Sequence, residues 1–235
     1  MRREQPPWSY EALARAAMRG ARAALDLGTG GGEVLASLAD SFPPLMIATE
    51  AYPPNLDVAA RRLGALRARV IAYGLDADRP APSAVQDGAA AVPLRDGVFD
   101  LVLDRHEAYD AREVARILAP DGVFLTQQSD GRSYEDLLQR FGASPQWPGV
   151  TLDNLVPELV DAGLVIQSAS QWWGGVAFSD VGAVVYYLKA IPWLVPGFSV
   201  AHFEPVLLEL QQELEQAGEL RFSEGLFLIR ARKSG

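Results

Sequence analysis

The sequence predicts an α/β fold: a doubly wound, mostly parallel sheet with helices on both faces. Three observations support this. Short apolar runs alternate with stretches of helical period through the first half of the chain. A turn with four glycines follows the first apolar run, and an acidic residue ends the second. Strands that alternate with helices are typical of βαβ units, whose strands pair in parallel.

The first half contains five predicted strands, at residues 23–27, 45–49, 69–73, 98–104 and 123–128. Helical stretches separate most of them. Asn55 is expected to cap the helix after the second strand. Asp110 is expected to cap the helix after the fourth strand, with Glu113 three residues later in a capping-box arrangement. The segment Pro120–Gly122 predicts a turn before the fifth strand.

The second half is less regular. Residues 154–163 predict a helix, and residues 164–173 and 226–233 predict the last two strands. Residues 204–218 predict a helix with Pro205 near its start and Gly218 just after its end. We therefore expect a single domain over residues 1–235, with a cofactor-binding core at 23–128. Residues from about 172 to 218 are expected to form a helical insertion that acts as a lid over the active site.

The composition excludes several classes of function. The net charge is −9, which disfavours a nucleic-acid or anionic membrane partner because such surfaces need clustered Lys and Arg. The absence of cysteine excludes a disulfide framework, a thiolate nucleophile and a cysteine zinc site. No apolar run has the length of a spanning helix, and no apolar segment follows the charged start as in a signal peptide. We expect a cytoplasmic monomer or homodimer that acts on a small molecule.

The glycine turn predicts a nucleoside site. Gly28, Gly30 and Gly32 have G-x-G-x-G spacing, which lets the backbone approach a ligand closely. The helix that follows would direct its N–H groups toward an anionic group. Glu50 ends the second strand, where its carboxylate can accept two hydrogen bonds from a ribose diol.

With these features, the chain resembles the class I, Rossmann-like S-adenosylmethionine-dependent methyltransferases from about Ala23 to Gln128. "LDLGTGGG" resembles the family's cofactor loop and "ATE" its ribose-binding strand end. "VPLRDGVFDLVLDRH" and "ILAPDGVFLTQQ" resemble two further family stretches, which separate it from nicotinamide dehydrogenases more sharply than the glycines do. The resemblance implies a seven-stranded sheet with a reversed last hairpin and S-adenosylmethionine as cofactor.

The resemblance also implies which residues hold the cofactor. These are Asp26, Gly28, Thr29, Gly30, Gly32, Glu50, Ala51 and Asp104. The family usually places an acid in a Gly-Asp-Ala pattern near the adenine, whereas this chain has Asp87-Gly88-Ala89. Either Asp76, or Asp87 together with Gly88, is expected to fill that place, and the spacing leaves both open.

Methyl transfer from a sulfonium is an in-line displacement, so the protein mainly aligns the reactants and often removes a proton. In this fold the residues after the fourth strand lie nearest the methyl group. His106, Glu107 and Tyr109 are therefore the candidate catalytic residues. A histidine, with an ordinary pKa near ~6.5, suits a general base. The acids near "LDRHE" lack the spacing of a metal site, and no metal is expected.

Four further residues are candidates for contact with the acceptor. They are Arg105, Trp172, Trp173 and Tyr186. Aromatic side chains stack on flat or cationic molecules. Core packing is the alternative interpretation of each of these aromatic residues.

The predicted function is methyl transfer from S-adenosylmethionine to a small-molecule acceptor. An RNA or protein methyltransferase and a non-catalytic S-adenosylmethionine-binding module are the alternatives. A nicotinamide oxidoreductase would place its third glycine three residues after the second, and Gly30 followed by Glu33 fails that pattern.

Overall fold

The computed structural model describes residues 1–74 and 92–235, which contain eight strands and eight α-helices. The strands are β1 (Arg2–Arg3), β2 (Ala23–Leu27), β3 (Leu45–Glu50), β4 (Arg69–Ala72), β5 (Phe99–Arg105), β6 (Leu118–Ser129), β7 (Leu164–Phe178) and β8 (Leu220–Lys233). The helices are α1 (Tyr10–Met18), α2 (Glu33–Ser37), α3 (Pro53–Gly64), α4 (Ala111–Ile117), α5 (Glu135–Arg140), α6 (Leu152–Asp161), α7 (Val181–Ala190) and α8 (Glu204–Ala217). A short 3₁₀ helix, Ala39–Ser41, follows α2.

The strands form one mixed sheet in the order β1-β7-β8-β6-β5-β2-β3-β4. The pairs β2–β3, β2–β5, β3–β4 and β5–β6 are parallel, whereas β1 pairs antiparallel with β7. The predicted α/β class is confirmed, and the predicted count of seven strands is wrong. The additional strand is β1 (Arg2–Arg3), which has no apolar pattern. It lies at the edge of the sheet and pairs through its backbone with residues 176–177.

The chain divides into two compact units, and the single domain over residues 1–235 stays a prediction. The first, here called the core unit, comprises residues 9–128, 152–171 and 227–235. The other, here called the second unit, comprises residues 1–8, 129–151 and 172–226.

In the core unit the predicted strands are confirmed, and β2 has the predicted bounds. All five residues of β2 are buried, as is typical of a central parallel strand covered on both faces. Asp110 caps α4 as predicted, accepting the Arg112 N–H over 2.7 Å. The carboxylate of Glu113 instead accepts hydrogen bonds from Arg116 and from the Val92 N–H, so the capping box is not completed. These contacts join α4 to the chain that enters β5.

Two local predictions in this unit are wrong. The helix α3 begins at Pro53 and is preceded by Tyr52, so Asn55 lies inside its first turn and is not its cap. Proline suits that first position because it has no N–H to satisfy and its φ is already helical. The segment Pro120–Gly122 lies inside β6 as an irregularity: Phe99 and Leu101 of β5 pair with Leu118 and Val123.

In the second unit, α7 and α8 lie between the last two strands in the chain, as predicted. Residues 172–178, expected to begin the helical insertion, instead extend β7. Pro205 lies in the first turn of α8, and Gly218 ends that helix with a left-handed φ of 82°. A buried apolar cluster holds the unit together and includes Phe178, Leu188 and Leu210.

The N-terminal strand is attached to the second unit by an ion pair. Arg3 Nε lies 2.9 Å from Oε2 of Glu224, whose side chain is almost fully buried. The Tyr134 hydroxyl donates to the other oxygen of the same carboxylate. Among the described residues, no helix is both long and apolar enough to cross a membrane.

Candidate active site

The glycine turn after β2 has a backbone that only glycine adopts readily. Gly28, Gly30 and Gly32 have φ values of 60°, 61° and 79°, all in the left-handed region. The Gly28 N–H donates to the Thr49 hydroxyl over 3.0 Å, and the Thr29 N–H donates to the Thr49 carbonyl over 2.8 Å. Thr49 of the neighbouring strand therefore fixes the course of the turn.

Helix α3 supports the turn from another side. A Cβ on Gly32 would stand 3.0 Å from the Leu63 side chain, so the turn packs directly on this helix. Arg62 donates hydrogen bonds to the Gly31 carbonyl and to the Glu33 carboxylate. At Gly30, by contrast, a Cβ would meet no atom within 4 Å, so this part of the turn is open to a ligand.

The end of β3 brings a second predicted group to the same edge of the sheet. Glu50 is only 7% exposed, and its Oε1 accepts the Tyr52 N–H over 2.7 Å. Ala51 follows it, and a Cβ on Gly74 would stand 2.5 Å from the Ala51 Cβ. The chain that leaves β4 thus passes directly beside the end of β3.

Two buried aspartates lie on β2 and β5. Burial raises the pKa of Asp26 to about 7, and the Thr29 hydroxyl and the Arg105 charge oppose that shift. Burial raises the pKa of Asp104 well above its usual range, as does the negative charge of Glu107. Oδ1 of Asp104 accepts from Gln128 Nε2 over 2.7 Å. Oδ2 has no hydrogen-bond partner among the described residues.

Glu107 reaches into the turn at Gly28. Its carboxylate lies at the place that a Cβ on Gly28 would occupy. Burial raises the pKa of Glu107 to about 7, and the negative charge of Glu50 contributes, whereas the Ala108 N–H opposes the shift. Gln128 holds the backbone here, because its Nε2 donates to the Glu107 carbonyl over 2.9 Å. The Glu107 carboxylate therefore lies at the glycine turn, close enough to Glu50 of β3 to feel its charge.

His106 is placed differently from its neighbour. It has a left-handed φ of 66°, its side chain is exposed, and its N–H donates to the Gln127 carbonyl over 2.9 Å. Its ring Nε2 lies 3.4 Å from Gln127 Nε2. Both His106 and Glu107 follow β5 as predicted, but the side chain that reaches Gly28 is that of Glu107.

Tyr109 and Arg105 are partly enclosed at this edge. Tyr109 is buried, and its ring meets Phe124 edge-on with centroids 4.9 Å apart. Burial raises the pKa of Tyr109, and its hydroxyl has no hydrogen-bond partner among the described residues. The buried Nε of Arg105 likewise has no hydrogen-bond partner among the described residues. The charge of Arg105 acts on Asp26.

A cavity opens between these elements within the core unit. It is lined by Leu27, Thr49, Tyr73, Gly74, Val92, Glu107, Ala108, Tyr109, Asp110, Glu113, Val114 and Ile117. Sequence reasoning missed Thr49, Tyr73 and Gln128. The position of Thr49 directly before Glu50 is the one signal that could have indicated it.

Several predicted residues lie elsewhere. Trp172 and Trp173 are in β7 and Tyr186 is in α7, all in the second unit, with Tyr186 76% exposed. A role of these aromatic residues in acceptor binding stays a prediction. Asp76, Asp87 and Gly88 fall outside the described residues. Within residues 1–74 and 92–235, no group of three or more His, Cys, Asp or Glu side chains is placed to hold a metal ion.

Comparisons with known proteins agree with this geometry. The family described as "Methyltransferase domain" matches residues 25–126. No curated protein matches the chain. Among solved structures, a proposed methyltransferase from Bacillus halodurans C-125 has a TM-score of 0.65 at 16% identity, covering 97% of this chain and 99% of that one.

Two further structures share the fold. The YcgJ protein from Bacillus subtilis has a TM-score of 0.64 at 18% identity, covering 96% of this chain and 98% of that one. A geranyl diphosphate methyltransferase, solved with GPP and sinefungin, has a TM-score of 0.54 at 14% identity, covering 95% and 76%. At these identities the likeness concerns the fold.

Proposed function

We propose that the chain is a class I S-adenosylmethionine-dependent methyltransferase that methylates a small-molecule acceptor, because residues 25–126 match the methyltransferase-domain family and the fold matches that of a proposed methyltransferase. When bound, the cofactor supplies a methyl group on a positively charged sulfur. The chain has to hold that cation, align the acceptor and receive any proton that the acceptor loses.

The residues at the sheet edge fit this cofactor. The turn is open at Gly30, where the backbone can approach a ligand. Glu50 uses Oε1 to accept the Tyr52 N–H, and as a carboxylate it has further acceptor capacity for the ribose hydroxyls. The carboxyl groups of buried Asp26 and partly buried Glu107, whose pKa values are raised to about 7, can ionise beside a ligand with net positive charge.

The cavity between β3, β4 and α4 suits the adenine base. Its walls include apolar side chains of Leu27, Val92 and Val114, together with the ring of Tyr73. A flat base would bury apolar surface there. An acid that meets the adenine amino group, Asp76 or Asp87, remains part of the proposal, as do contacts from Thr29, Ala51 and Gly88.

The acidity of this edge is the observation that carries the assignment to a small molecule. The cavity lining contains three acids, Glu107, Asp110 and Glu113, and no Lys, Arg or His among the described residues. A nucleic-acid substrate would need clustered basic side chains near the reacting edge, and the whole chain carries a charge of −9. The geranyl diphosphate methyltransferase shows that this fold serves a small acceptor in another protein.

For the chemical step we propose His106 as the base that receives the acceptor proton. Its exposed imidazole follows β5 directly, where an acceptor can reach it. Glu107 and Tyr109 remain the other candidate catalytic residues. Arg105, Trp172, Trp173 and Tyr186 are proposed to contact the acceptor.

A transfer assay tests the proposal. The purified protein is incubated with cofactor labelled in its methyl carbon and, separately, with a metabolite extract, total RNA and a protein extract. Label is expected in the metabolite fraction. Glu50→Gln serves as the matched control, because it keeps the side-chain shape, loses the ribose-binding charge and should abolish labelling at low cofactor concentration.

Each other outcome contradicts the proposal. Label only in RNA or only in protein would assign the acceptor to that class. Cofactor binding without transfer to any fraction would indicate a non-catalytic module.

A further inference from the structure

We propose that Glu107 gives the site its preference for the positively charged S-adenosylmethionine over the demethylated product S-adenosylhomocysteine, whose sulfur carries no charge. The proposal rests on the placement of the cofactor on the glycine turn argued above. Glu107 then acts as a specificity-determining residue that favours exchange of product for fresh cofactor.

The Glu107 carboxylate lies directly at the glycine turn. Gly28 has no side chain, and the Glu107 carboxylate fills the space where one would stand. The backbone behind it is fixed, because Gln128 Nε2 donates to the Glu107 carbonyl and the His106 N–H donates to the Gln127 carbonyl. The charge of Glu107 is thereby presented at the turn on which the cofactor would lie.

The titratable groups that surround Glu107 are acidic or phenolic. The titratable groups that act on it or share its cavity are Glu50 on β3, Tyr73 after β4, Asp104 on β5, Tyr109 in the loop after β5, and Asp110 and Glu113 at α4. All are acids or phenols, and Arg116 on α4 pairs with Glu113 over 2.7 Å. The described lining of the cavity thus contains no cation to neutralise Glu107, and a cationic ligand can supply the missing charge.

The protonation of Glu107 is linked to the charge of the bound ligand. Burial and the charge of Glu50 hold the pKa of Glu107 at about 7, so about half of these carboxyl groups carry a proton at pH 7. A bound cation favours the ionised form and lowers that pKa, so the carboxyl group releases its proton to the buffer. A ligand with an uncharged sulfur does not lower the pKa of Glu107 in this way. Affinity for the cation should therefore rise with pH relative to affinity for the product.

Calorimetry on the wild-type protein without acceptor tests this directly. S-adenosylmethionine and S-adenosylhomocysteine are titrated at pH 6, 7 and 8, each in two buffers of different ionisation enthalpy. We expect the ratio of the two dissociation constants to shift about tenfold toward S-adenosylmethionine between pH 6 and pH 8. At pH 7 its binding should release about half a proton more than binding of S-adenosylhomocysteine. Titratable groups that both ligands carry contribute equally to the two titrations. They therefore cancel from the ratio of dissociation constants and from the difference in proton release.

Glu107→Gln keeps the shape of the side chain and removes its charge. In this variant the preference at pH 8 should fall by about tenfold, and its pH dependence should shrink to the part that Asp26 supplies. Asp57→Asn is the matched control, because Asp57 is exposed on α3 and its loss changes the net charge equally. This variant should keep the wild-type ratio.

A wild-type ratio independent of pH, with equal proton release for both ligands, would overturn the proposal without any variant. An unchanged ratio in folded Glu107→Gln would do the same. If the wild type binds neither ligand, the placement of the cofactor on the glycine turn fails, and that outcome differs from binding of both without discrimination.

Discussion

The Thr49 hydroxyl accepts a hydrogen bond of 3.0 Å from the Gly28 N–H, so the end of strand β3 and the first residue of the glycine turn share one polar contact. The Thr49 carbonyl accepts the next N–H, that of Thr29. Thr49 itself is 1% exposed. One buried side chain on β3 thus controls how the backbone leaves β2.

Thr49→Val should loosen this turn. Valine has nearly the shape of threonine and cannot accept the Gly28 N–H, which leaves that donor poorly satisfied. We expect a loss of about 1–2 kcal/mol in the free energy of unfolding, measured by denaturant titration, and weaker cofactor binding in calorimetry. Thr49→Ser keeps the hydroxyl and should bind the cofactor like the wild type. Equal cofactor affinity in the valine and serine variants would show that the hydroxyl does not position the turn.

Alanine substitutions should separate two roles of glycine. Gly28 and Gly30 have nearly equal positive φ values, but only at Gly28 would a Cβ meet Glu107. Each substitution should cost about 1–2 kcal/mol of unfolding free energy through backbone strain alone. Gly28→Ala should cost about 1 kcal/mol more, because the Glu107 side chain must move.

A double-mutant cycle tests whether the additional cost of Gly28→Ala comes from its contact with Glu107. In a Glu107→Ala background, Gly28→Ala and Gly30→Ala should destabilise the protein equally. An excess cost at Gly28 that persists without the Glu107 side chain would show that the two residues are not in contact.

The stability of the ligand-free protein should fall as pH rises from about 4.5 to 7. The pKa of Glu107 is raised to about 7 in the folded chain, so the folded state binds more protons than the unfolded state in this window. Stability from this group is therefore present at low pH and is lost as the carboxyl group ionises. Asp26, with a pKa raised to about 7, acts in the same direction.

Thermal unfolding of the wild type and Glu107→Gln at pH 5 and pH 8 measures this. The variant should lose less stability over the interval, by about 2 kcal/mol. Asp57→Asn, on the exposed face of α3, should follow the wild-type curve. Parallel curves for the wild type and Glu107→Gln would mean that Glu107 titrates like an exposed carboxylate.

The sequence could predict the parts of this site that depend on local patterns along the chain. Buried strands appear as apolar runs, and parallel strands place their carboxyl ends at one edge, so the glycine turn and Glu50 were expected to lie near each other. Asp110 was recognisable because a cap acts on the N–H groups of its own helix.

Features that depend on tertiary contacts could not be predicted in this way. The strand Arg2–Arg3 forms because its backbone pairs with a distant segment, and its side chains carry no pattern. The choice between His106 and Glu107 depends on the left-handed φ of His106, which a contact with Gln127 stabilises. The contacts of Gln128 likewise follow from the register of β5 and β6, which sequence spacing does not define.

The proposed role of His106 gives the last prediction. His106→Asn is the informative change, because asparagine tolerates a left-handed φ and the backbone bond to Gln127 survives. If the imidazole receives the acceptor proton, kcat should fall by about 10²- to 10⁴-fold while the calorimetric Kd of S-adenosylmethionine stays unchanged. His202→Asn removes the other histidine, an exposed residue of the second unit, and should change neither value.

The separation of kcat from Kd decides between three roles. A fall in cofactor affinity with kcat preserved at saturation would make His106 a positioning residue for the cofactor. Unchanged kcat and Kd would exclude both roles, and the base would then have to be sought at Glu107 or Tyr109. A fall in kcat alone is the expected result, because the His106 side chain is exposed directly after β5, where an acceptor can meet it, whereas the carboxylate at Gly28 is that of Glu107.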